Sequence, residues 1–340
     1  MVQFIRNGGV SLEKTLKIGD VSLKYGLMLA PMAGFSDRAM RLVSKKYGAE
    51  YTTTEMVSAK AIIYGDKKTA KLLYIERDEA PTAVQIFGSE PEIMGEAAKI
   101  ISSGAFGGAR PAAIDINMGC PVPKIFKNGE GSALMQNPRL IEKIVAATRA
   151  ATELPVTVKL RLGIDEKSIN VLECARRAED AGASLVVIHG RTRAQQYSGE
   201  ASYEEIKKVK NCLHIPVIAN GDITSADKAI EVISDTGADG IMIGRGAIGN
   251  PFIFEEIASA ISNKSYTPPT LAERAEAALL QLRLAIEDKG ESVAVREARG
   301  SIARYFHSFK GAAAFRARLN RAESYGVIAE AIEILTKENK

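Results

Sequence analysis

The feature that most constrains this chain is a repeated alternation of short apolar, β-rich runs with amphipathic helical runs between residues 26 and 254. GLMLAPM (26–32), YTTTEM (51–56), TAVQIFG (82–88), AAIDINMG (112–119), PVTVKLRLG (155–163), SLVVIHG (184–190), PVIANGD (216–222) and ADGIMIG (238–244) each read as a strand. Runs such as SDRAMRLVSKKYG and NPRLIEKIVAATRAAT read as the helices between them. Near-continuous apolar strands separated by helices predict a parallel sheet covered on its outer face. Units of this kind at roughly 30-residue spacing predict an α/β fold, a closed (β/α)8 TIM barrel. The competing open, doubly wound sheet lacks its G-x-G-x-x-G turn after the first strand. TLKIGDVSLKYG, just before that strand, reads as a small hairpin suited to plugging the barrel floor.

After Phe254 the pattern becomes helical only. Pro268 and Pro269 break the chain, Thr270 caps the next helix and Glu273 completes a capping box. Helices are expected at about 270–288, 291–309, 312–324 and 327–338. We therefore expect a catalytic barrel over 1–258 and an all-helical domain over 259–340. The 340 residues suit that division, since a barrel takes about 250. No apolar run approaches the roughly 20 residues of a membrane helix, and MVQFIRNGGVSLEK lacks the apolar core of a signal peptide. Cys120, Cys174 and Cys212 are scattered, which argues against a disulfide framework or a metal site. A reducing, cytoplasmic setting without membrane association is expected, and nothing calls for an obligate protein partner.

In such a barrel the active site lies at the C-terminal ends of the strands. Polar residues gather there: Gln85, Asp115, Asn117, Cys120, Lys159, Arg161, His189, Arg191, Arg193, Asn220, Gly221 and Asp222. IANGDIT and MIGRGAIG place small residues and free backbone N–H groups after strands seven and eight, which predicts a phosphate cradle. Arg245 adds a fork of donors suited to phosphate oxygens. Such a site admits sugar phosphates, pyridoxal phosphate or FMN. Lys159 would serve either as a Schiff-base amine or as a charge beside a reduced flavin. With Gln85 and His189 around one ring, the set favours a flavin, though spacing does not decide it.

LAPMAGFSDRAMR (29–41), TEMVSA (54–59), VQIFG (84–88), DINMGCPVPK (115–124), VKLRLG (158–163), HGRTRAQQYSG (189–199), IANGDI (218–223) and IGRGAIGNPFIF (243–254) resemble, in order, the tRNA-dihydrouridine synthase family, most closely its bacterial B branch. The resemblance implies FMN as bound cofactor, NADPH as transient reductant and tRNA as substrate. It places Pro31, Met32 and Ala33 along the flavin and Gln85 at its pyrimidine edge. Lys159 and His189 would touch the ring, with Asn220, Gly221, Asp222, Gly244 and Arg245 around the ribityl chain and phosphate. Asn117 would orient the target uracil, and Cys120 would be the acid that protonates C5 after hydride reaches C6. The loop after Cys120, PVPKIFKNGEGSALMQNP, reads as a lid. The alternative within enzymes is an FMN barrel acting on a free pyrimidine or small enone.

RNA also requires a basic surface. Between 296 and 321, Arg296, Arg299, Arg304, Lys310, Arg316, Arg318 and Arg321 face one acid, Glu297. Arg191 and Arg193 at the rim are expected to bridge flavin and tRNA. B-branch relatives commonly carry R-K-H where Arg299, Gly300 and Ser301 stand here, so the target uridine is left open. Gly300 inside a helix costs about 1 kcal/mol against Ala and suggests close packing or a kink.

Overall fold

A computed structural model describes residues 3–5, 9–11 and 15–339 of the chain. Its centre is a ring of parallel strands: β1 (Leu27–Leu29), β2 (Thr52–Thr53), β3 (Thr82–Phe87), β4 (Ile114–Met118), β5 (Val156–Leu160), β6 (Leu185–His189), β7 (Val217–Asn220) and β8 (Gly240–Ile243). β8 pairs back onto β1, and the Leu29 N–H reaches the Tyr51 carbonyl at 2.8 Å to close the ring towards β2. Helices α1 (Arg38–Lys46), α2 (Ala59–Ile63), α3 (Pro91–Ser102), α4 (Pro138–Ala150), α5 (Val171–Asp180), α6 (Glu204–Cys212), α7 (Ala226–Thr236) and α8 (Ile253–Ile261) cover the outside. This is the expected (β/α)8 barrel.

Along each strand alternate side chains point outward into the layer beneath the helices, as Ile114, Ile116, Val156, Val158, Val186 and Ile188 do. Their neighbours point inward. Met28, Tyr51, Ala83, Leu185, Val187 and Ile218 fill the lower barrel together with Leu16, Ile18 and Leu23. These last three belong to the hairpin Leu16–Ile18/Val21–Leu23, which plugs the floor as its sequence suggested.

The second strand differs from the expectation of a continuous run over 51–56. It is broken into Thr52–Thr53 and Val57–Ser58, both paired with β3. Between them the Thr54 hydroxyl accepts the Gln85 N–H at 3.1 Å, replacing a ladder carbonyl by a side chain. Two short helices, α2 and Lys67–Leu73, fill the region before β3 where no element was expected.

The C-terminal region contains α9 (Leu271–Lys289), α10 (Glu291–Arg304), α11 (Ala312–Asn320) and α12 (Tyr325–Glu338) around a core that includes Leu282, Val295, Tyr305, Phe306, Phe315 and Ile332. Thr270 and Glu273 form the expected capping box. α10 stops at Arg304 rather than 309, because Tyr305 and Phe306 turn into that core. Phe252 joins the same cluster and meets the Tyr47 ring in a tilted contact, centroids 4.4 Å apart, so the helices are seated on the barrel. Among the described residues no helix is long and apolar enough to cross a membrane.

Candidate active site

The inward alternation that fills the barrel floor with apolar side chains delivers polar ones at the upper ends of the strands. Gln85 on β3, Asp115 and Asn117 on β4, Thr157 and Lys159 on β5, His189 on β6 and Asn220 on β7 all lie on the inward-facing register. The ladder sets Lys159 beside Asn117 and His189 beside Asn220. Strand pairing alone therefore brings residues up to 135 positions apart into one layer.

Most of that layer is hydrogen-bonded. Asp115 accepts from Gln85 Nε2 at 2.7 Å and from Thr157 Oγ1 at 2.5 Å. Gln85 Oε1 in turn accepts from Asn117 Nδ2 at 2.9 Å. Asn117 Oδ1 takes the N–H groups of Cys120 (2.9 Å) and Gly119 (3.2 Å), which fixes the turn at the end of β4. Asn117 thus acts on the backbone that carries Cys120. Lys159 Nζ donates to Asn220 Oδ1 at 3.0 Å, and Asn220 Nδ2 donates to the Met242 carbonyl at 2.7 Å.

Burial sets the protonation states. It lowers the Lys159 pKa to about 8, helped by Arg161 and opposed by Asp115. It pushes the Asp115 carboxyl up, against the bonds from Thr157 and Gln85. Burial, then the charges of Lys159, Arg161 and Arg191, depress His189 strongly, so its imidazole is neutral at physiological pH. Burial also raises the Cys120 thiol, against the pull of Arg161 and Lys159. A thiol held protonated is a proton donor and a poor nucleophile. Cys174 on α5 lies in the outer core with its pKa pushed up to about 12, and Cys212 ends α6 partly buried.

The turns after β7 and β8 share the work less evenly than their sequences suggested. Gly221 has φ +127°, and a Cβ there would stand 2.8 Å from Ala201 Cβ and 3.1 Å from His189 Cδ2. The backbone is thereby kept against the imidazole. The Asp222 carboxylate is held by Arg191 at 2.8 and 2.7 Å, by the Ala201 N–H at 2.8 Å and by Arg245 at 3.0 Å. Burial alone would raise its pKa, but these partners bring it below the usual carboxylate range. Asp222 therefore shapes the loop, and its anionic side chain is unsuited to facing a phosphate. At α7, Ser225 and Glu256 already accept the N–H groups of Lys228 and Ala226, so fewer donors remain there. The short turn Arg245–Ala247 after β8 opens with N–H groups that have no acceptor within the turn, donors suited to an anion. Half-exposed Arg245 stands beside it. The loop of Pro31, Met32 and Ala33 is adjacent, with Met32 Sδ 3.6 Å from where a Gly244 Cβ would lie.

Several expected RNA contacts have other partners. Arg191 is 1% exposed and spends its donors on Asp222 and the carbonyls of Ser198 and Gly199. Its guanidinium is closed off from solvent and acts as an internal tie. Arg193 lies 3.9 Å over the Phe126 ring and pins the helix Pro123–Lys127 that follows Cys120. Arg299 donates twice to the Ala322 carbonyl, at 3.1 and 2.6 Å, and joins α10 to the end of α11. Arg304 and Lys310 are exposed. A Cβ at Gly300 would meet nothing within 4 Å, and α10 runs through it, so close packing does not explain this glycine. The lid reading also contracts: Gly131–Met135 are buried, and Ser132 donates to the Cys120 carbonyl at 2.7 Å. Only the stretch around Pro123–Lys127 stands at the rim.

Tyr197 belongs to the site although its residue type does not single it out in the sequence, and Asp115, expected on the rim, is the centre of the network. Tyr197 is 56% exposed above the mouth, its ring 5.7 Å from Arg161, 5.1 Å from Arg245 and 6.5 Å from His189. Arg161 holds the Gln196 carbonyl at 2.9 Å, and Arg191 holds those of Ser198 and Gly199, so buried guanidiniums fix the backbone on both sides of the ring. An aromatic inside the polar run RAQQYSG was the available signal. Asp115 was noted on the rim, but its role as the hub of the network depends on Thr157 and Gln85, which lie on other strands.

A protein-family model described as dihydrouridine synthase matches residues 28–339. The chain is 41% identical over 314 residues to a probable tRNA-dihydrouridine synthase 1 of Synechocystis, covering 92% of this chain and 86% of that protein. It is 40% identical over 320 residues to tRNA-dihydrouridine synthase B of Vibrio parahaemolyticus, covering 94% and 98%. Among solved structures, a variant of NCR from Zymomonas mobilis superposes with a TM-score of 0.53 at 15% identity, over 78% of this chain and 95% of that one. Morphinone reductase in complex with tetrahydroNAD gives 0.50 at 13% identity, over 78% and 94%. At those identities the structural likeness speaks for the barrel alone.

Proposed function

The chain belongs to the dihydrouridine synthase family, and from that premise we propose that it reduces the C5–C6 double bond of uridines in tRNA, with FMN bound in the barrel and NADPH as reductant. The observation that carries the reading is the placement of Cys120, fixed by Asn117 at the end of β4, on the same rim as Lys159 and His189. The residues fit FMN. Lys159 offers a cation, Gln85 the second N–H of an amide already anchored by Asp115 and Asn117, and the 244–247 turn offers N–H groups and Arg245 to a phosphate. Pro31, Met32 and Ala33 would flank the ring, with Asn220, Gly221 and the Asp222 backbone along the chain that leads to Gly244. When bound, the flavin supplies the hydride that NADPH has delivered to it.

The chain's own part is proton and charge management. Adding hydride at uracil C6 drives the π-electron pair onto C5, C4 and O4, and a proton must then form the new bond at C5. Cys120 donates it, and the resulting thiolate is favoured by the charges of Arg161 and Lys159. Asn117 serves by holding the Cys120 backbone. Residues 1–258 would carry the chemistry. Residues 259–340 would contact RNA through exposed Arg304 and Lys310, with Arg296, Arg316, Arg318 and Arg321 nearby in sequence.

The test is to release the cofactor from purified protein, identify it by mass and absorbance, and assay unmodified tRNA and free uracil with NADPH. FMN and dihydrouridine in tRNA are expected. Turnover of free uracil with none of tRNA would favour a small-molecule reductase, and protein that cannot be loaded with FMN would refute the reading.

A further inference from the structure

Lys289 joins two elements that the proposed reaction must coordinate. It ends α9, just before Gly290 (φ +79°) turns the chain into α10. Its Nζ lies 2.7 Å from Asp37 Oδ2 and 2.7 Å from Glu297 Oε2. Glu297 is on α10, the helix that also carries Arg296, Arg299 and Arg304. Asp37 caps α1 through the Met40 N–H at 2.9 Å. It directly follows Ser36, whose hydroxyl accepts the Met32 N–H at 2.7 Å. The path from α10 to the loop of Pro31, Met32 and Ala33 is thus Glu297, Lys289, Asp37, Ser36, Met32. Around this path the barrel and the helices meet through small side chains. A cleft lined by Gly34, Phe35, Gln281, Ala298 and Ser301 opens beside it, and the contact underneath is made by Ala39, Ala285 and Ala294. Burial alone would make the Lys289 ammonium easier to deprotonate, but the two carboxylates outweigh it and keep it charged.

We propose that Lys289 is a positioning residue that couples RNA seated on α10 to the placement of the Pro31–Ala33 loop against the cofactor. This rests on the reading of the barrel as a flavin site and of the helices as an RNA surface. A physical coupling requires a contiguous path whose arrangement both ligands bias, and it is reciprocal between them. The buried alanines Ala39, Ala285 and Ala294 bring the two elements into direct contact along this path.

The experiment uses the full-length, FMN-loaded protein and follows the visible circular dichroism of the flavin as unmodified tRNA is added, together with kcat and KM for dihydrouridine formation. Wild-type protein should show a tRNA-induced spectral change; wild type that binds no flavin or makes no dihydrouridine would instead indicate failure of the underlying reading. Lys289→Met should lose that change and lower kcat on the order of tenfold or more, since small misplacements far from the chemistry are costly. Its KM for tRNA and its tRNA-free oxidation of NADPH should stay close to wild type, and Lys289→Arg should restore both spectrum and kcat. Asp37→Asn keeps a competent helix cap while removing the charge and should behave like Lys289→Met, which preserves the test if the methionine variant does not fold. A Lys289→Met protein with wild-type kcat and spectral change overturns the proposal. So does a raised KM with unchanged kcat, which would make Lys289 a docking contact only.

Discussion

Replacing Arg191 by Met separates an internal tie from an RNA contact. Methionine keeps most of the apolar stem but removes two bonds to Asp222 and the bonds to the Ser198 and Gly199 carbonyls. Side-chain exposure is 2% for Arg191 and 26% for Asp222, so the pair is closed on one side and partly solvated on the other. Removing one partner of a buried pair costs about 3–5 kcal/mol. Asp222 retains the Ala201 N–H and Arg245, which favours the lower end, about 3 kcal/mol. For a chain of this size that corresponds to a Tm lower by roughly 5 °C. The Asp222 carboxyl is held below its ordinary pKa in the folded state. Its contribution is therefore present above the unfolded pKa and is lost as pH falls through the folded one. The deficit of Arg191→Met should accordingly shrink on acidification. Thermal unfolding against pH measures this, and tRNA affinity against salt supplies the control. The slope of log affinity on log salt should not change, whereas loss of one phosphate contact lowers it by about 0.7–0.9. An unchanged Tm with a shallower salt slope would refute the reasoning and return Arg191 to the RNA surface.

Three further outcomes follow from the same geometry. Lys159 has a folded pKa of about 8 against an ordinary 10.5, so the folded state sheds the proton first and stability rises with pH between those values. Lys159→Met should raise Tm at pH 7, lose that advantage in alkali and abolish turnover, while wild-type turnover declines above about pH 8; a neutral or lower Tm for the variant at pH 7 would contradict the burial argument. Gly131 has φ +60°, and a Cβ there would stand 3.0 Å from Cys120 Cβ and from Ile125 Cγ2. Gly131→Ala should destabilise by about 1 kcal/mol or more and slow dihydrouridine formation more than it weakens FMN binding; wild-type kinetics would count against the placement of Cys120. Arg304→Gln with Lys310→Gln should lower the salt slope of tRNA binding by about 1.5 and leave NADPH oxidation without tRNA unchanged. An unaltered slope would move the RNA surface elsewhere.

The barrel was legible because its constraint is periodic and local. An inward polar residue such as Asn117, Lys159 or Asn220 interrupts an apolar strand at the position where the strand meets the site, and the sequence displays that interruption. Elements held by distant partners were not legible. The stretch before β3 ends in Glu79, buried against Arg41 with Nε 2.6 Å from the carboxylate, 38 residues away in sequence. No local pattern announces the short helices around such a pair. The tie made by Arg191 is hidden for a similar reason: H-G-R-T-R reads as a basic rim, and its acid partner is 31 residues downstream. Thr54 breaks the second strand by substituting a hydroxyl for a carbonyl, which a β-rich run of threonines conceals. At the helical end, the apolar face of 291–309 continues past Arg304 only because Tyr305 and Phe306 enter the core from a turn.

Protonation of uracil C5 by Cys120 is tested by comparing wild type with Cys120→Ala. Both proteins, loaded with FMN, are mixed with unmodified tRNA and NADPH, and dihydrouridine is counted per tRNA against time. Wild type should accumulate dihydrouridine, and the variant should retain cofactor and NADPH oxidation while forming it about 100-fold or more slowly. Equal rates for the two proteins would contradict the assignment of the thiol, and no dihydrouridine from either would contradict the function itself.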